Sequence, residues 1–344
     1  MRIAIISTPA VAVPPRGYGG TELVVAELAE GLADAGHDVR VFATGDSSVR
    51  VRRRALFDTA VWPPSPSHEM AHAAWALQEL RREPVDIVHT HTAAALLGGD
   101  RADAPVVHTV HHGPDAGLDA LYGVCREGCT FVAISEDQRR RLPHAHVVHH
   151  GLSADRYAEG AGDGGYAAFL GRYAEEKGAH DAIDAARAAG VPIRLGGRCH
   201  PPDEAYAAAA LRPRLLLPGV ADLGMVDHPA KCALLGGAVA TLFPIAWDEP
   251  FGLVMIESMF CGTPVIAFAR GSVPEVIDEG ITGWVVRDAA AMAARLAWLA
   301  RGGAFDRARC RAHATARFGR RRMVDAYVHV YRRALSGRAR AEAC

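Results

Sequence analysis

The sequence predicts an α/β fold made of two Rossmann-like, doubly wound domains. Short apolar runs alternate with amphipathic helical segments along the whole chain, a pattern typical of βαβ units around parallel sheets. The length of 344 residues suits two domains. The alternation is interrupted once, by the Gly- and Asp-rich segment 152–165, and then starts again. We therefore expect two sheets that face each other across a cleft.

The expected boundaries follow from that interruption. We predict an N-terminal domain over residues 1–152, a linker over 153–165, a C-terminal domain over 166–318 and a C-terminal helix, 319–344, that packs back on the first domain. In the first domain, the pattern favours strands over 2–7, 38–44, 86–92, 105–112, 130–135 and 146–151, with helices over 21–35 and 67–82. In the second domain, it favours strands over 166–172, 192–198, 214–220, 240–245, 264–269 and 282–286, with helices over 180–189, 202–210, 228–237, 251–260, 272–280 and 288–301.

Composition excludes several classes of protein. The net charge of −1 argues against a nucleic-acid binder, which usually carries a strongly basic field. No apolar run reaches the ~18 residues that a membrane span needs, and the first ten residues, MRIAIISTPA, suit a strand rather than a signal peptide. The seven cysteines are scattered without a C-x-x-C pair, so we expect reduced thiols in a cytoplasmic protein. Basic residues are almost all Arg, and the chain has only two lysines, Lys177 and Lys231.

The strongest motif spans Trp247–Glu257, which follows an apolar strand and opens a helix. The N–H groups of Gly252, Leu253 and Val254 would form an anion site at the start of this helix. Glu249 precedes the helix and Glu257 lies inside it, so a carboxylate stands near each end of a ligand laid there. The plain alternative is a structural arrangement of Glu near a helix N-terminus.

The E-x7-E element and the runs 262–268 (GTPVIAF) and 270–277 (RGSVPEVI) resemble family-4 glycosyltransferases, retaining enzymes of the GT-B fold. The resemblance covers nearly the whole chain. It implies metal-independent transfer of a hexose or related sugar from a nucleotide diphosphate sugar. The nucleotide sugar is then a substrate, and the resemblance implies no cofactor. We expect UDP as the nucleotide. It implies that Glu257 holds the ribose, and that Glu249, Phe251 and the amides after them contact the donor sugar and phosphates.

A second motif, Gly171-Arg172-Tyr-Ala-Glu-Glu-Lys177-Gly178, meets the family pattern G-R-x4-K-G. The resemblance implies that Arg172 and Lys177 neutralise the donor diphosphate. Fixed cations would stabilise the charge that develops on the departing nucleotide diphosphate. The alternative is an ordinary surface turn. For the nucleobase, the resemblance points to residues 198–200 and 220–225.

The N-terminal glycines are less specific. The segment Gly17-Tyr-Gly-Gly-Thr-Glu22 lies between the first strand and helix, and its spacing does not meet G-x-G-x-x-G because position 22 is Glu. The resemblance implies that this loop, with Gly19 and Gly20, approaches the donor diphosphate or the acceptor. A flexible turn is the alternative.

Histidines cluster where strands of the first domain end. Their positions allow a zinc site, but also polar residues that only line a cleft, and we expect no metal. The resemblance implies that His111 contacts the donor sugar, and a shift of one place would give the role to His112. The clustered residues are His89, His91, His108, His111, His112, His144, His146, His149 and His150.

We therefore expect a sugar transferase that acts on the hydroxyl of a small molecule or oligosaccharide. The Arg-rich composition suits an actinomycete, and the short chain resembles enzymes of antibiotic or oligosaccharide pathways. The alternatives are a nucleotide-sugar epimerase, a phosphorylase, and a non-catalytic subunit that binds sugar nucleotides. The run Arg139–Arg141 suits a solvated helix face, although it could also meet an anionic acceptor or a membrane surface.

Overall fold

The structure is a computed structural model that describes residues 1–101 and 103–342. It divides into two compact units. Unit 1 combines Met1–Leu152 with the chain from Arg320 onward, and unit 2 is Ser153–Gly319. The predicted linker, 153–165, lies in unit 2, where Gly160 and Gly162 donate backbone hydrogen bonds to Cys261 and Gly236. Of the predicted helical segment 319–344, the last two residues lie outside the described part of the chain.

Thirteen strands are present among the described residues, seven in unit 1 and six in unit 2. They are β1 (Arg2–Ile6), β2 (Asp38–Phe42), β3 (Arg52–Arg54), β4 (Ile87–Thr90), β5 (Val106–Thr109), β6 (Cys129–Ala133), β7 (His146–Val147), β8 (Ala167–Leu170), β9 (Ile193–Gly196), β10 (Val220–Asp222), β11 (Ala240–Phe243), β12 (Val265–Phe268) and β13 (Gly283–Val286).

The described α-helices also number thirteen. They are α1 (Gly20–Asp34), α2 (Pro66–Arg82), α3 (Ala116–Val124), α4 (Glu136–Arg139), α5 (Ala179–Ala188), α6 (Glu204–Tyr206), α7 (Arg212–Leu215), α8 (His228–Gly237), α9 (Leu253–Phe260), α10 (Val273–Val276), α11 (Ala289–Ala300), α12 (Arg307–Phe318) and α13 (Arg320–Glu342). Short 3-10 turns cover Ala93–Arg101, Cys125–Glu127, Ala154–Arg156, Glu175–Lys177 and Pro201–Asp203, and a π-helical turn covers Ala207–Leu211.

Each unit holds one fully parallel sheet with the same winding. The strand order is β3-β2-β1-β4-β5-β6-β7 in unit 1 and β10-β9-β8-β11-β12-β13 in unit 2. The order reverses between β1 and β4, and again between β8 and β11. Ligands of doubly wound sheets bind beyond the carboxyl ends of the strands at such a reversal. The predicted α/β class of two Rossmann-like sheets is confirmed.

The prediction of a strand over 214–220 is wrong. Residues 212–215 are helical and the strand begins only at Val220, because β10 pairs with β9 from Val220 to Asp222. Leu216, counted as a strand residue, is 87% exposed. The helix predicted over 272–280 is a single turn, α10, and Ile277 after it has an extended backbone. Apolar content alone does not distinguish a buried strand from a helical turn.

The core of unit 2 depends on small side chains. The face of α5 that packs on the sheet presents Ala179, Ala182, Ile183 and Ala186, at the i, i+3, i+4, i+7 spacing of one helix face, and all four are fully buried. In unit 1, α13 packs against α1 and places Tyr327 and Tyr331 in the interior without exposed surface. Burial of aromatic side chains of this size contributes about 2–3 kcal/mol each.

Candidate functional site

The turn that opens α9 depends on a glycine. Gly252 caps the helix with φ +77°, a conformation that side chains disfavour, and a Cβ there would lie 2.7 Å from Met255 Cε. Leu253 and Val254 form the first turn, whose N–H groups lack partners within the helix. Phe251 is 2% exposed and packs edge-on against Phe318, with ring centroids 5.9 Å apart. A rigid helix N-terminus therefore stands beyond the carboxyl end of β11.

The loop after β12 holds the backbone of Glu249. Gly271 has φ +53°, and a Cβ there would lie 2.4 Å from both N and O of Glu249. The Ser272 N–H donates to Glu249 O at 2.9 Å, and the Ser272 hydroxyl donates to Phe251 O at 2.9 Å. The main chain of the E-x7-E segment is thus fixed by a neighbouring loop before any ligand binds.

Glu249 belongs to a triad with Lys177 and Trp247. Lys177 Nζ lies 2.5 Å from Glu249 Oε2, and the Trp247 indole N–H donates to the same oxygen at 2.9 Å. The ammonium also lies 4.9 Å from the centroid of the Trp247 ring. Lys177 ends the 3-10 turn after β8 and Glu249 follows β11, so the pair sits at the strand reversal of unit 2.

Glu257 belongs to a second triad of lysine, glutamate and an aromatic donor, here Lys231 and Tyr157. Lys231 Nζ donates to Glu257 Oε1, and the Tyr157 hydroxyl donates to the same oxygen at 2.9 Å. Lys231 Nζ lies 5.7 Å from the centroid of the Tyr157 ring. The Glu257 side chain is 5% exposed, so its charge needs this partner to be stable inside the protein.

In each triad, one carboxylate oxygen of the glutamate remains available to accept a hydrogen bond from a ligand. Both side-chain donors to Glu249 go to Oε2 and both donors to Glu257 go to Oε1. Among the described residues, the other carboxylate oxygen of each accepts no side-chain hydrogen bond. An ionised carboxylate accepts hydrogen bonds at both oxygens, so each glutamate can take a ligand hydroxyl.

Three members of these triads were missed from the sequence. Lys231 and Tyr157 match no motif, and Tyr157 is 100 residues away from its carboxylate partner. Trp247 opens the Trp247–Glu257 motif, but no role was predicted for it. A signal for Lys231 was available, because it is one of only two lysines in an Arg-rich chain. The two lysines neutralise the two glutamates of E-x7-E.

Arg172 faces carboxylates in the same unit. Its Nη2 contacts Glu176 Oε1, and its Nε lies 3.6 Å from Asp203 Oδ2. Both Nε and Asp203 Oδ2 are buried without a hydrogen bond to any described residue. A guanidinium in this position retains donors for an anionic ligand.

The segments expected to hold the base lie at β9 and β10, next to the loop that follows β8. Tyr173 donates from its hydroxyl to Asp222 Oδ1 at 2.6 Å, which links the loop after β8 to the end of β10. Gly197 allows the backbones after β8 and β9 to meet, since a Cβ there would lie 2.0 Å from Gly171 O. Within 220–225, Leu223 and Met225 are 46% and 52% exposed and could cover an apolar ring.

In unit 1, the glycine loop precedes a buried carboxylate. Gly19 caps α1 and Gly20 is its first residue, and a Cβ on Gly19 would lie 3.0 Å from Glu22 Oε2. Glu22 is 6% exposed and accepts a hydrogen bond from the Thr8 hydroxyl at 2.6 Å. Burial raises the pKa of Glu22 above its ordinary value.

His111 pairs with His91. The His91 Nδ1 and His111 Nε2 atoms lie 2.7 Å apart, and the His111 ring stacks on His150 with centroids 5.2 Å apart. Burial, and after it the neighbouring histidines, lower the pKa of His91 and of His111 well below the ordinary value. Both imidazoles are therefore neutral at neutral pH and act as hydrogen-bonding groups.

The neighbouring histidines have internal partners. His112 bonds through Nδ1 to Gly113 O and through Nε2 to the Tyr122 hydroxyl, each at 2.6 Å. His89 bonds to the Tyr331 hydroxyl and to Thr109 Oγ1, each at 2.8 Å. In both His112 and His89, each ring nitrogen therefore already has a partner within unit 1.

Across 1–101 and 103–342, no group of three or more His, Cys, Asp or Glu side chains is arranged to hold a metal ion. In the same residues, no helix combines the length and apolar character that crossing a bilayer requires. The Arg139–Arg141 run is mostly exposed, and its members pair with Glu136, Asp137 and Asp119.

Two protein-family models match the chain, one over the part that contains the first sheet and the other over the part that contains the second. Residues 18–156 match the model for Glycosyltransferase Family 4, and residues 155–317 match the model for Glycosyl transferases group 1. Together the two matches run from residue 18 to residue 317.

Relatives support the same class. The chain is 29% identical to a D-inositol 3-phosphate glycosyltransferase of Mycobacterium tuberculosis, over 97% of this chain and 83% of that one. Its fold matches that of AviGT4, a glycosyltransferase involved in avilamycin A biosynthesis, with TM-score 0.73, 23% identity and 98% of each chain covered. It also matches HepE from Anabaena in complex with UDP-glucose, with TM-score 0.72, 18% identity, and 98% and 100% of the two chains covered.

Proposed function

We propose that this chain, which is a glycosyltransferase with a family 4 domain followed by a group 1 domain, moves a sugar from a UDP-sugar to an acceptor hydroxyl with retention at the anomeric carbon. The observation that carries the proposal is the pair of Lys–Glu–aromatic triads in unit 2, one of which, Lys177–Glu249–Trp247, lies at the strand reversal. The structure of HepE with UDP-glucose supports UDP as the nucleotide.

The E-x7-E segment would hold the donor from both sides. The N–H groups at the start of α9 would bind the diphosphate, and Arg172 and Lys177 would add positive charge. The unoccupied oxygen of Glu249 would accept from a sugar hydroxyl, and that of Glu257 from the ribose. This assignment uses the carboxylate oxygens that no described donor occupies.

The reaction would be a front-face substitution. The bond from the anomeric carbon to the diphosphate oxygen breaks, and a bond from that carbon to the acceptor oxygen forms on the same face. The acceptor proton passes to an oxygen of the leaving diphosphate. Arg172, Lys177 and the α9 N-terminus would stabilise the charge that grows on the leaving group.

His111 remains our proposed contact to the donor sugar. It is favoured over His112 because both nitrogens of His112 already bond within unit 1. Gly19 and Gly20 would bring backbone close to the diphosphate or the acceptor.

Donor binding tests the proposal first. Stabilisation of the protein by UDP in a thermal-shift titration, and not by GDP or ADP, would support it. The variant that replaces both Arg172 and Lys177 with Ala should lose turnover while its far-UV circular dichroism stays unchanged. Arg187→Ala, an exposed arginine on α5, is the matched control. Normal turnover in the double variant would overturn the site.

The enzyme is proposed to work without metal or cofactor. Turnover that survives exhaustive chelation would support this, and loss that Mg²⁺ restores would contradict it. Product analysis separates the alternatives, because an epimerase would act without acceptor and a phosphorylase would consume inorganic phosphate. A non-catalytic subunit would bind UDP and transfer sugar to no acceptor.

The acceptor is proposed to be a small molecule or oligosaccharide. An antibiotic precursor is supported only by the fold match with AviGT4, and an inositol phosphate only by the Mycobacterium relative. Competition between such acceptors for transfer from one UDP-sugar would decide. A cytoplasmic location belongs to the same proposal and is supported by the six described cysteines, which are all free thiols.

A further inference from the structure

Cys232, Cys261 and His228 lie close to the Lys231–Glu257 pair. Cys232 follows Lys231 on α8, and its Sγ lies 3.5 Å from His228 Nε2, one helical turn earlier. Its Sγ also lies 3.8 Å from Arg156 O. Neither the sequence motifs nor the proposed reaction uses any of these groups.

Cys261 completes the cluster from the neighbouring helix. It caps the C-terminal end of α9, one turn after Glu257, and α9 packs against α8, which carries Cys232. Cys261 has no exposed surface, whereas Cys232 is partly exposed. A reagent from solvent therefore meets Cys232 first, with Cys261 behind it.

The surroundings favour an ionised Cys232. The hydrogen bond from the Cys261 thiol and the contact with His228 lower the pKa of Cys232, against the opposing effect of its partial burial. The Lys231 charge acts in the same direction. Contact with Cys232 and burial raise the pKa of Cys261, so Cys261 keeps its proton. Thiolates beside a histidine and a lysine are the reactive form of cysteine.

We propose that Cys232 is an oxidation site and that Cys261 is its resolving thiol, with hydrogen peroxide as the oxidant. The Cys232 sulfur attacks one peroxide oxygen, the O–O bond breaks, and the departing hydroxide takes a proton to become water. The resulting sulfenic acid is then attacked by Cys261, the S–S bond forms, the S–O bond breaks and a second water leaves. Two thiols are oxidised by two electrons and one peroxide is reduced to two waters.

The bridge would couple to donor binding. It would join α8, which carries Lys231, to α9, which carries Glu257, directly beside the contact between those residues. We expect the bridged enzyme to bind UDP more weakly, by about tenfold, because the loss of one charge-assisted hydrogen bond is of that size. This second part rests on the proposed function, and the oxidation itself does not.

The first experiment needs no nucleotide. Native protein is alkylated with iodoacetamide at about pH 6.5, where an ordinary thiol is almost entirely protonated, and each cysteine is quantified by mass spectrometry. Cys199, which is also partly exposed, is the internal reference. We expect Cys232 to react at least about tenfold faster than Cys199. An equal or slower rate would overturn the proposal.

The second experiment tests the bridge. After peroxide treatment, a non-reducing digest should contain one linked peptide that joins Cys232 to Cys261, and dithiothreitol should remove it. Cys261→Ala should leave Cys232 as sulfenic or sulfinic acid, whereas Cys199→Ala should still form the bridge. A bridge between other cysteines, or its absence from oxidised wild-type protein, would refute the assignment without any variant.

The last measurement is UDP affinity before and after oxidation. A lower affinity that dithiothreitol restores supports the coupling, and an unchanged affinity in bridged protein overturns it. Failure of the reduced protein to bind UDP at all would instead refute the proposed function, so the two failures are distinguishable.

Discussion

His91 Nδ1 and His111 Nε2 lie 2.7 Å apart, at the carboxyl ends of adjacent strands in unit 1. Only one hydrogen fits between two such nitrogens, so one ring donates and the other accepts. Because both imidazoles are neutral, the tautomers of His91 and His111 are coupled, and the side chain at position 91 affects which nitrogen of His111 carries a hydrogen. His91 is thereby a positioning residue for the histidine that we expect to meet the donor sugar.

Replacement of His91 tests that relationship. Asn can place its amide near the position of Nδ1, whereas Leu cannot hydrogen bond at all. We expect kcat/KM to fall about tenfold in His91→Leu, which leaves a buried partner unsatisfied, and much less in His91→Asn. Steady-state kinetics of both variants provide the measurement. Equal losses in the two variants would mean that His91 only fills space.

Lys231 should be the target of a ribose-directed reagent. Periodate converts the ribose of UDP to a 2′,3′-dialdehyde, and an amine beside the bound ribose attacks the aldehyde carbon, with loss of water, to form an imine. We expect borohydride to fix this label on Lys231 rather than on Lys177, because Lys231 contacts Glu257. Peptide mass spectrometry reads the site of labelling.

Excess UDP should block that labelling, and Lys231→Arg should abolish it. Lys177 serves as the internal comparison, since it is the only other lysine in the chain. Equal labelling of both lysines would show that the ribose is not held at Glu257.

Gly271→Ala should lower the unfolding free energy by more than the strain of placing alanine in a left-handed conformation accounts for. Its Cβ would lie 2.4 Å from backbone atoms of Glu249, whereas a Cβ on Gly280, with φ +73°, meets nothing within 4 Å. We expect Gly280→Ala to cost about 1 kcal/mol of unfolding free energy. Gly271→Ala should cost about 3 kcal/mol and also weaken UDP binding. Urea denaturation and calorimetry measure the two effects, and similar costs would contradict the packing argument.

Unfolding free energy should fall as the pH falls below about 6.5. Burial lowers the pKa of His89, His108 and His150 to about 3. Between about pH 6.5 and pH 3, the unfolded chain therefore binds protons at these histidines and the folded chain does not. Stability is complete above the unfolded pKa and is lost progressively from there toward pH 3, by up to about 1.4 kcal/mol per pH unit for each histidine. Urea denaturation across this range measures the slope.

His108→Phe should flatten that slope by the share of one histidine. His108 packs against Tyr122 and Phe131, so a phenyl ring suits its surroundings. An unaltered slope in His108→Phe would show that His108 does not resist protonation in the folded state.

Local periodicity was sufficient for most of the fold. Helix α8 begins at His228 and ends at Gly237, as the pattern indicates, because Asp227 caps its start and its apolar face is regular. Strand β3 was not predicted, since Arg52–Arg54 is a run of charged residues that forms a strand only by pairing with β2 at the edge of the sheet. Pairing of that kind depends on partners distant in sequence.

The same distinction applies to the candidate site. Glu249, Glu257 and Lys177 were predicted because their spacing within short motifs is visible in the sequence. Tyr157 and Trp247 were not, because they matter only through hydrogen bonds that tertiary structure creates. The choice between His111 and His112 likewise depends on Tyr122, whose position no local pattern indicates.

The helix α13 gives the molecule an order of assembly. Tyr327 and Tyr331, which fill the interior of unit 1, come from α13, whereas the sheet of unit 1 is formed by residues before 152. On the ribosome, all of unit 2 is synthesised before those residues emerge. We expect unit 2 to complete its folding first, because the interior of unit 1 stays incomplete until α13 has been synthesised. The N-terminal sheet is then the part of the nascent chain that a chaperone would protect.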